Sequence, residues 1–361
     1  MSPFKEPLVI IGGGQSGLAA AHSALAVGLR PVVLHAGTEP AGSWPDYYDS
    51  LTLFSPARYS SLPGLALGGD PDRYPHRDGV VAYLRRYARV LDAEIHTRTR
   101  VVAVHGRADG GYLVRTAAGD ELSAAGVIAA TGSFGNPHLP SMLGQAEYAG
   151  DLRHVAHYHR PQAYAGKRVV VVGAGNSAVQ VAYELATHAR TTLATREPVR
   201  LLPQRIRGHD LHHWLHVTGA DRLPRTVVTR LVRRAAVLDT GRYRDALASG
   251  ALCRREMFTA FTSDGVLWRD GTAEKVDAVI FATGYRPDLD YLTPLGVGRN
   301  APRQVGGVST THAGLAYLGL EFQRSFSSNT LRGVGRDAAH VMAAVVAHVH
   351  GRRVSRRWWP R

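Results

Sequence analysis

The chain has 361 residues, of which 45% are hydrophobic, and this length favours two globular domains with substantial buried cores. The net charge of +14 comes mainly from arginine, and only the tail 352–361 combines clustered basic residues with aromatic ones, so no nucleic-acid partner is predicted. A single cysteine, Cys253, excludes an internal disulfide and a Cys-x-x-Cys redox pair. No apolar run reaches the length of a membrane span and no signal peptide opens the chain, so we expect a cytoplasmic protein without a membrane partner.

The first predicted element is a buried parallel strand, Leu8 to Ile11, which a glycine-rich loop connects to a helix from Gly14 to Val27. Such glycines permit a tight turn and let backbone N–H groups approach a pyrophosphate at the positive end of the helix. The second strand ends at His35, where a dinucleotide-binding fold usually has an acidic residue, but a neutral imidazole can still bond one ribose hydroxyl. The residues predicted to bind a first dinucleotide are Gly12, Gly14, Gln15, Ser16, Gly17 and His35.

The segments that follow supply further candidates for the same site. A Gly-Ser-Trp sequence after the second strand can place a flat aromatic ring beside a cofactor. Asp78 as the N-cap predicts a helix that ends at Val90, and alternating residues predict strands at 94–104 and 111–116. A buried strand from Val127 ends in Ala-Thr-Gly, whose small side chains let a ligand lie across the carboxyl edge of the sheet. From this stretch we assign to the cofactor site Gly42, Ser43, Trp44, Val102, Thr131 and Gly132.

A second glycine loop lies near the middle of the chain. The apolar run from Arg168 to Val172 predicts a buried strand, and Gly-Ala-Gly-Asn-Ser-Ala then leads into a helix that ends near His188. The next strand, 191–195, ends at Arg196 rather than at an acid, and an arginine there pairs with a 2′-phosphate, which favours NADPH over NADH. The residues predicted to bind this second dinucleotide are Gly173, Gly175, Asn176, Ser177, Ala178, Thr195 and Arg196.

The two loops belong to two similar halves. Strands are predicted at 258–268 and 273–281, and the second of them ends in Ala-Thr-Gly, as the strand before Gly132 does. Each glycine loop is therefore followed, about 110 to 120 residues later, by a strand with the same ending. Two dinucleotides in one protein indicate a flavin and a nicotinamide that meet at one point. Thr283 and Gly284 are added to the cofactor-binding residues.

The remaining segments give weaker signals. The histidines are spaced so that they can share a helical face, but no metal site is predicted because no cysteine or carboxylate set is evident beside them; they are His209, His212, His213 and His216. A basic, solvated helix is predicted at 222–236 and a last strand at 315–319. A final helix at 331–350 begins with glycines that would aim its N-terminus at an anionic part of a cofactor, so Glu321 and Leu331 complete the predicted cofactor site.

The segment before the second loop carries a more specific pattern. Tyr148-x-Gly150-x-x-x-His154-x-x-x-Tyr158 resembles the identifying sequence of flavin-containing monooxygenases, with tyrosine in place of the first phenylalanine. The Gly-x-Trp and Ala-Thr-Gly-Tyr sequences also match, so the chain is identified as a compact bacterial member of that family. The resemblance implies an α/β fold of two dinucleotide-binding, Rossmann-like domains. A discontinuous FAD domain would comprise 1–155 and 285–361, with an NADPH domain, 156–284, inserted between its parts.

The resemblance also implies roles and an activity. His154 and Tyr158 would shape the linker between the domains, and Phe54 and Ser55 occupy the segment where many members have an asparagine near the flavin; these four are the candidate catalytic residues. The implied enzyme uses FAD, NADPH and O2 to oxygenate a soft nitrogen or sulfur atom of a small molecule through a C4a-hydroperoxyflavin. Two alternatives remain: an NADPH-dependent reductase or oxidase that passes electrons to a quinone, a protein or oxygen, and an FAD-binding redox sensor without turnover. The compact chain leaves room for a homodimer.

Overall fold

The computed structural model describes residues 6–223, 227, 236–297 and 302–350. Most of the predicted basic helix, 222–236, and the whole basic tail, 352–361, lie outside the described residues. The described part is a mixed α/β fold that contains two sheets with parallel strands at their centres. The predicted α/β class is therefore confirmed at this level.

The first of these sheets has seven strands and is built around the buried strand Leu8–Ile11. All four residues of this strand are apolar and buried, as expected for a strand covered on both faces. Its parallel pairing continues on one side to Pro31–Leu34 and on the other to Gly126–Ala129. The spatial order of the strands is Gln304–Val305, Val308–Ser309, Leu315–Tyr317, Gly126–Ala129, Leu8–Ile11, Pro31–Leu34 and Glu94–His96.

Helices cover one face of the seven-stranded sheet and a small antiparallel sheet covers the other. The helices are Gln15–Ala26, Arg77–Val90 and Leu331–Val349, and the first and last of them pack together through small and aliphatic residues. On the opposite face the apolar residues of the sheet pack under a three-stranded layer and the 3-10 helix Asp290–Leu295. The strands of that layer are Val101–Gly106, Tyr112–Thr116 and Glu121–Ala124.

The second sheet has five strands, and all of its pairings are parallel. Its order is Cys253–Glu256, Arg190–Thr195, Arg168–Val172, Ala278–Phe281 and Asp151–His154. The helix Asn176–Leu185 packs on one face together with Arg242–Ser249. An antiparallel layer that includes Phe261 and Trp268 packs on the other face, and its strands are Ala260–Thr262, Gly265–Leu267 and Ala273–Lys275.

Short elements complete the described chain. Two small sheets pair Leu201–Pro203 with Val237–Asp239 and Arg205–Ile206 with His209–Asp210, and the helix Leu211–Val217 follows the second of them. The remaining 3-10 turns are Trp44–Asp46, Ala57–Tyr59, Gln145–Glu147, Val155–His157, Pro161–Tyr164 and Ala220–Arg222. In the part of the chain that the structure describes, no helix combines the length and the apolarity needed to cross a bilayer.

Several predicted elements differ from the observed ones. The helix at 77–90 is capped by His76, whose Nδ1 accepts from the N–H of Asp78, so Asp78 lies in the first turn and is not the N-cap. The predicted strand at 258–268 is a hairpin, because Ser263 and Asp264 turn the chain between two antiparallel strands. The predicted strand at 273–281 is interrupted at Asp277, whose carboxylate accepts from the backbone N–H of Arg168. Strand 94–104 likewise divides into two strands that belong to different sheets.

Candidate cofactor and active site

A cavity of about 1160 Å³ lies along the carboxyl edge of the seven-stranded sheet. Its wall brings together most residues predicted for the first dinucleotide and two of those predicted for the chemistry. Gly17, Thr283, His154 and Tyr158 are not part of this wall. The predicted residues that line the cavity are Gly12, Gly14, Gln15, Ser16, His35, Gly42, Ser43, Trp44, Phe54, Ser55, Val102, Thr131, Gly132, Gly284, Glu321 and Leu331.

The first glycine loop has no room for side chains. Gly12 has a φ of +111°, and a Cβ there would lie 2.5 Å from the carbonyl oxygen of Ala130. A Cβ on Gly17 would lie 1.7 Å from the carbonyl oxygen of Gly12, so this residue allows the helix to approach the strand. Gly14 caps the helix without a side-chain hydrogen bond, which leaves N–H groups of the first turn for a ligand. The loop therefore fits the phosphates of a dinucleotide.

His35 presents an unused donor at this cavity. Its Nδ1 accepts from the N–H of Gly13 at 3.2 Å, so the neutral ring carries its proton on Nε2. The Nε2 atom is enclosed and has no hydrogen-bond partner among the described residues. Burial lowers the pKa of His35, although the nearby Glu39 backbone opposes the shift, and the ring is neutral at neutral pH. A buried donor without a partner fits a ribose hydroxyl, which is the role predicted for this residue.

A hydrogen-bonded chain links three segments of the cavity wall. The indole N–H of Trp44 donates to Oε1 of Gln15 at 3.3 Å, and Nε2 of Gln15 donates to the carbonyl oxygen of Asn329 at 2.8 Å. The Gly-Ser-Trp loop is thus joined to the first glycine loop and to the residues before the helix Leu331–Val349. Asn329 lines the cavity but carries no signal in the sequence that predicts this.

Four aromatic side chains form a continuous surface along the cavity, which we call the aromatic wall: Trp44, Tyr47, Phe134 and Tyr285. Ring centroids are separated by 5.5 Å between Trp44 and Tyr47, 4.5 Å between Tyr47 and Phe134, and 5.4 Å between Phe134 and Tyr285. Sequence reasoning singled out Trp44 alone as a cofactor neighbour. Tyr285 follows Ala-Thr-Gly and had a signal, whereas Tyr47 and Phe134 had none.

The predicted catalytic residue Phe54 packs on a buried polar cluster. Its ring stacks on His212 at 5.9 Å, and His212 Nδ1 lies 2.7 Å from Oδ1 of Asp210. Oδ2 of Asp210 accepts from the hydroxyl of Tyr74 and from Nε2 of Gln204, each at 2.6 Å. Burial alone would raise the pKa of Asp210, but these hydrogen bonds hold it at about 2, so the carboxylate stays ionised. This cluster was not predicted, although Asp210 stands beside His209 in the sequence.

The four histidines of this segment do not come together as one set of side chains in the described structure. His212 is hydrogen-bonded to Asp210 and stacks on Phe54, whereas the ring of His209 stacks on that of His213 with 4.3 Å between centroids. The described ranges contain no group of three or more histidine, cysteine or acidic residues that could hold a metal ion. Ser55, the other predicted catalytic residue of this segment, is hydrogen-bonded to Ser60 at 2.8 Å between the two hydroxyl oxygens.

The second glycine loop repeats the geometry of the first. Gly173 has a φ of +142° and a Cβ there would lie 2.5 Å from the carbonyl oxygen of Ala282, the residue that corresponds to Ala130. Asn176 begins the helix Asn176–Leu185, and its enclosed Oδ1 has no partner among the described residues. Gly175 caps this helix without a side-chain bond, which leaves N–H groups of the first turn for a ligand. The loop therefore fits a second set of phosphates.

The strand that follows the second loop ends in an arginine, as predicted. Thr195 is buried, and its hydroxyl oxygen accepts from Nε of Arg254 at 2.7 Å, which fixes the end of the strand. Arg196 comes next and is exposed. Its guanidinium is therefore accessible to the 2′-phosphate of a nucleotide, and its assignment to that phosphate stays a prediction.

Tyr148, Gly150 and Tyr158 of the segment from Tyr148 to Tyr158 make contacts away from the cavity. The hydroxyl of Tyr148 donates to the carbonyl oxygen of Val276 at 2.9 Å, and a Cβ on Gly150 would lie 2.2 Å from that hydroxyl. The glycine thus makes space for the tyrosine. The buried Tyr158 donates to Oε2 of Glu184 at 2.8 Å, which joins the linker to the helix Asn176–Leu185.

His154 connects the same segment to the cavity. Its Nδ1 accepts from the N–H of Ala156, and its Nε2 donates to the carbonyl oxygen of Gly284, each at 3.1 Å. The ring is 1% exposed and stands edge-on to Tyr285, with 4.9 Å between centroids. Both ring nitrogens are therefore used by the backbone, and His154 positions the Gly284–Tyr285 segment without touching the cavity.

Acidification is expected to destabilise the protein through His154. Burial lowers the pKa of His154 from 6.5 to about 4, although the hydrogen bond to Gly284 opposes this shift. Between pH 6.5 and about pH 4, the unfolded chain therefore binds a proton at this residue that the folded chain does not bind. Stability therefore falls as the pH drops through this window, by about 3 kcal/mol for the whole shift. Urea unfolding near neutral pH and near pH 4.5 measures this. The free energy of unfolding should depend less on pH in His154→Gln than in the control His188→Gln, which replaces an exposed histidine. An equal dependence on pH in both variants would contradict the assignment of this effect to His154.

Comparison with known proteins identifies the family. A model described as pyridine nucleotide-disulphide oxidoreductase matches residues 9–305. A flavin-containing monooxygenase from Stenotrophomonas maltophilia is 32% identical and superimposes with a TM-score of 0.83 over 95% of this chain and 98% of that one. The chain belongs to the flavin-containing monooxygenase family. Indole-3-pyruvate monooxygenase YUCCA1 of Oryza sativa subsp. japonica is 33% identical over 78% of this chain and 77% of its own length. The uncharacterized oxidoreductase CzcO of Bacillus subtilis is 29% identical over 92% of this chain and 97% of its own length.

The family resemblance drawn from Tyr148 to Tyr158 is thereby confirmed. This flavin-containing monooxygenase is an oxidoreductase whose cofactors are FAD and NADPH and whose reactants are a small molecule and O2. The disulphide chemistry in the name of the wider family needs a pair of cysteines, and this chain has only Cys253, which is exposed. The two glycine loops are the parts of the chain that fit the two cofactors.

Proposed function

We propose that this flavin-containing monooxygenase oxygenates a soft nucleophilic nitrogen or sulfur atom of a small molecule. Substrate, O2, NADPH and one proton would give the oxygenated substrate, NADP⁺ and water. Bound FAD would supply the redox chemistry, as a hydride acceptor and then as a C4a-hydroperoxide that donates its distal oxygen. The residues of the chain would bind and orient the reactants and keep water from the reacting atoms.

One observation carries this proposal: residues of both halves of the chain line a single cavity. The first glycine loop contributes Gly12, and the segment after the last strand of the second sheet contributes Gly284 and Tyr285. A flavin held by the first loop would therefore lie close to the carboxyl end of the strand Ala278–Phe281 of the second sheet. Hydride transfer between two cofactors needs this kind of proximity, and the positive φ of both Gly12 and Gly173 supports two nucleotide sites.

We further propose a revised division into two Rossmann-like domains. The FAD domain would comprise residues 1–150 and 285–361, and the NADPH domain residues 151–284. The family resemblance implied a first boundary after 155, but the strand Asp151–His154 pairs in parallel with Ala278–Phe281 of the second sheet. This pairing supports a boundary just before Asp151.

Anaerobic reduction by NADPH, followed by mixing with oxygen in a stopped-flow spectrometer, tests the function. A long-lived C4a-adduct absorbance before oxidised flavin returns, together with sulfoxide or N-oxide product, is the expected result. Immediate return of oxidised flavin with hydrogen peroxide would instead favour the reductase or oxidase. No reduction of bound FAD by NADPH would favour the redox sensor.

We also propose that the enzyme acts in the cytoplasm without a nucleic-acid or membrane partner. The basic residues of the chain are mostly dispersed, and FAD and NADPH are themselves polyanions that need positive surroundings. A homodimer stays a prediction. Sedimentation of the FAD-loaded protein would decide whether a second subunit is present.

A further inference from the structure

The aromatic wall has two hydroxyl groups that the protein itself does not use. The hydroxyls of Tyr47 and Tyr285 hydrogen-bond to no described residue. Neither hydroxyl oxygen is fully enclosed by the described residues, so both are accessible. The buried Tyr158 and Tyr148, which lie outside the cavity wall, do have partners, since Tyr158 donates to Glu184 and Tyr148 to Val276. Tyr47 and Tyr285 are half-buried and line the cavity, so their unpartnered hydroxyls are accessible there and can donate to a ligand.

Both tyrosines are held in place by their surroundings. Nη1 of Arg77 donates to the carbonyl oxygen of Tyr47 at 2.5 Å and to Oδ1 of Asp49 at 2.9 Å, which fixes the backbone beneath the Tyr47 ring. Tyr285 follows Gly284, whose carbonyl oxygen is bonded by the buried His154. Fixed donors lose little freedom when a ligand binds, so each hydrogen bond contributes more fully to affinity.

The protonation state of both residues suits donation. Burial raises the pKa of Tyr47 to about 12, and burial together with the neighbouring Tyr47 raises that of Tyr285 further. Both hydroxyls therefore keep their protons at neutral pH. The rings of Tyr47 and Tyr285 both contact Phe134, so the two tyrosines flank one side chain of the wall.

The wall is aromatic throughout and has Phe134 between the two tyrosines. Phe134 lies 4.5 Å from the Tyr47 ring and 5.4 Å from the Tyr285 ring, the second contact being stacked with an interplanar angle of 23°. A flat, conjugated ligand gains offset-stacked or edge-to-face contacts on such a surface. An aliphatic ligand of the same volume gains only apolar burial.

We propose that the aromatic wall is the substrate subsite and selects a planar aromatic sulfide or amine that carries a hydrogen-bond acceptor on its ring. The hydroxyls of Tyr47 and Tyr285 would donate to that acceptor, and Phe134 would stack on the ring. The proposal rests on the proposed oxygenation and names its substrate class. His154 would be a positioning residue, which acts on the subsite through Gly284.

Two probes separate ring recognition from acceptor recognition. Thioanisole offers the ring and the sulfur, and 4-(methylthio)benzamide adds an acceptor. Each is titrated against the FAD-loaded, oxidised protein, and the change in flavin absorbance gives Kd. We expect tighter binding of the benzamide to the wild-type protein. Tyr47→Phe and Tyr285→Phe should each weaken benzamide binding about 3- to 10-fold, as expected for one neutral hydrogen bond, and leave thioanisole unchanged.

A matched control is Tyr183→Phe. Tyr183 lies on the helix Asn176–Leu185, stands edge-on to Tyr243 at 5.3 Å and is not part of the cavity wall. Its substitution removes the same atom and should alter neither Kd. The phenylalanine variants keep the ring, so their folding is expected to match the wild type, and thermal unfolding of the FAD-loaded proteins checks this.

Three results would overturn the proposal. The first is equal affinity of the wild type for both probes, and the second is an equal loss for both probes in the tyrosine variants. The third is a rise in KM for NADPH with unchanged probe selectivity, which would assign the wall to the nicotinamide. Chromatography of aerobic reactions tests the oxygenation separately, because selective binding without sulfoxide would contradict the proposed function while the binding subsite stands.

Discussion

Replacing Gly12 by alanine is expected to yield a protein that folds but purifies without flavin. Gly12 has a φ of +111°, a region that L-residues with a Cβ rarely adopt. The new Cβ would also lie 2.5 Å from the carbonyl oxygen of Ala130. The loop must shift to relieve this contact, which moves its N–H groups away from the pyrophosphate. A cost of about 3 kcal/mol in the binding-competent state corresponds to roughly a 100-fold loss of affinity for FAD.

The equivalent change in the second loop should have a different outcome. Gly173→Ala meets the same obstacle, with a φ of +142° and a Cβ 2.5 Å from the carbonyl oxygen of Ala282. We expect this variant to retain FAD, since the first loop is intact, but to be reduced by NADPH roughly 100-fold more slowly at subsaturating NADPH. Dithionite should still reduce the bound flavin at the normal rate. Flavin content after purification and anaerobic reduction rates measure the two effects.

Suitable controls have a positive φ but no crowding. Gly110→Ala in the first half has a φ of +88° and Gly250→Ala in the second half a φ of +76°, and nothing lies within 4 Å of a Cβ at either position. Both should lose some stability but keep FAD and NADPH reduction. If Gly12→Ala lost NADPH reduction but retained flavin, or if Gly173→Ala lost flavin, the assignment of the loops to the two cofactors would be reversed.

The glycine loops could be predicted because several local features agree. A short run of four buried apolar residues precedes each loop, 8–11 in the first half and 169–172 in the second, as in buried parallel strands, and each loop then meets the start of a helix. The close approach of Gly12 to Ala130 and of Gly173 to Ala282 explains why each Ala-Thr-Gly ending accompanies a loop. The repeat in the sequence thus reflects one packing contact that occurs twice.

Two kinds of feature could not be predicted from the sequence. One is a strand at the edge of a sheet, and the other is a contact between residues that are far apart along the chain. The strand Asp151–His154 consists mainly of polar residues, because it lies at the edge of its sheet and pairs only with Ala278–Phe281. The buried Asp210 is bonded by Tyr74 across 136 residues of chain, so no local pattern marks either residue as part of a cluster. Tyr47 lines the cavity and directly follows the 3-10 turn Trp44–Asp46, which no local pattern in the sequence predicts.

Replacing Arg196 by serine is expected to change the preference between the two nicotinamide nucleotides. Arg196 follows the buried end of the strand Arg190–Thr195, and Arg254 fixes that end through Thr195. The exposed guanidinium can then bond a 2′-phosphate, and a hydrogen bond to a charged group contributes about 1.5 to 3 kcal/mol. We therefore expect kcat/KM for NADPH to fall roughly 10- to 100-fold, whereas that for NADH, which lacks the phosphate, stays nearly constant.

The matched control for Arg196→Ser is Arg190→Ser, which removes an exposed arginine from the first residue of the same strand. The two variants lower the net charge of the protein equally, so a general loss of attraction for the polyanionic NADPH would appear in both. Only Arg196→Ser should alter the ratio of kcat/KM values for NADPH and NADH. Equal losses with both nucleotides would place Arg196 outside the 2′-phosphate site, and the half-buried Arg254 beside it would then become the residue to substitute.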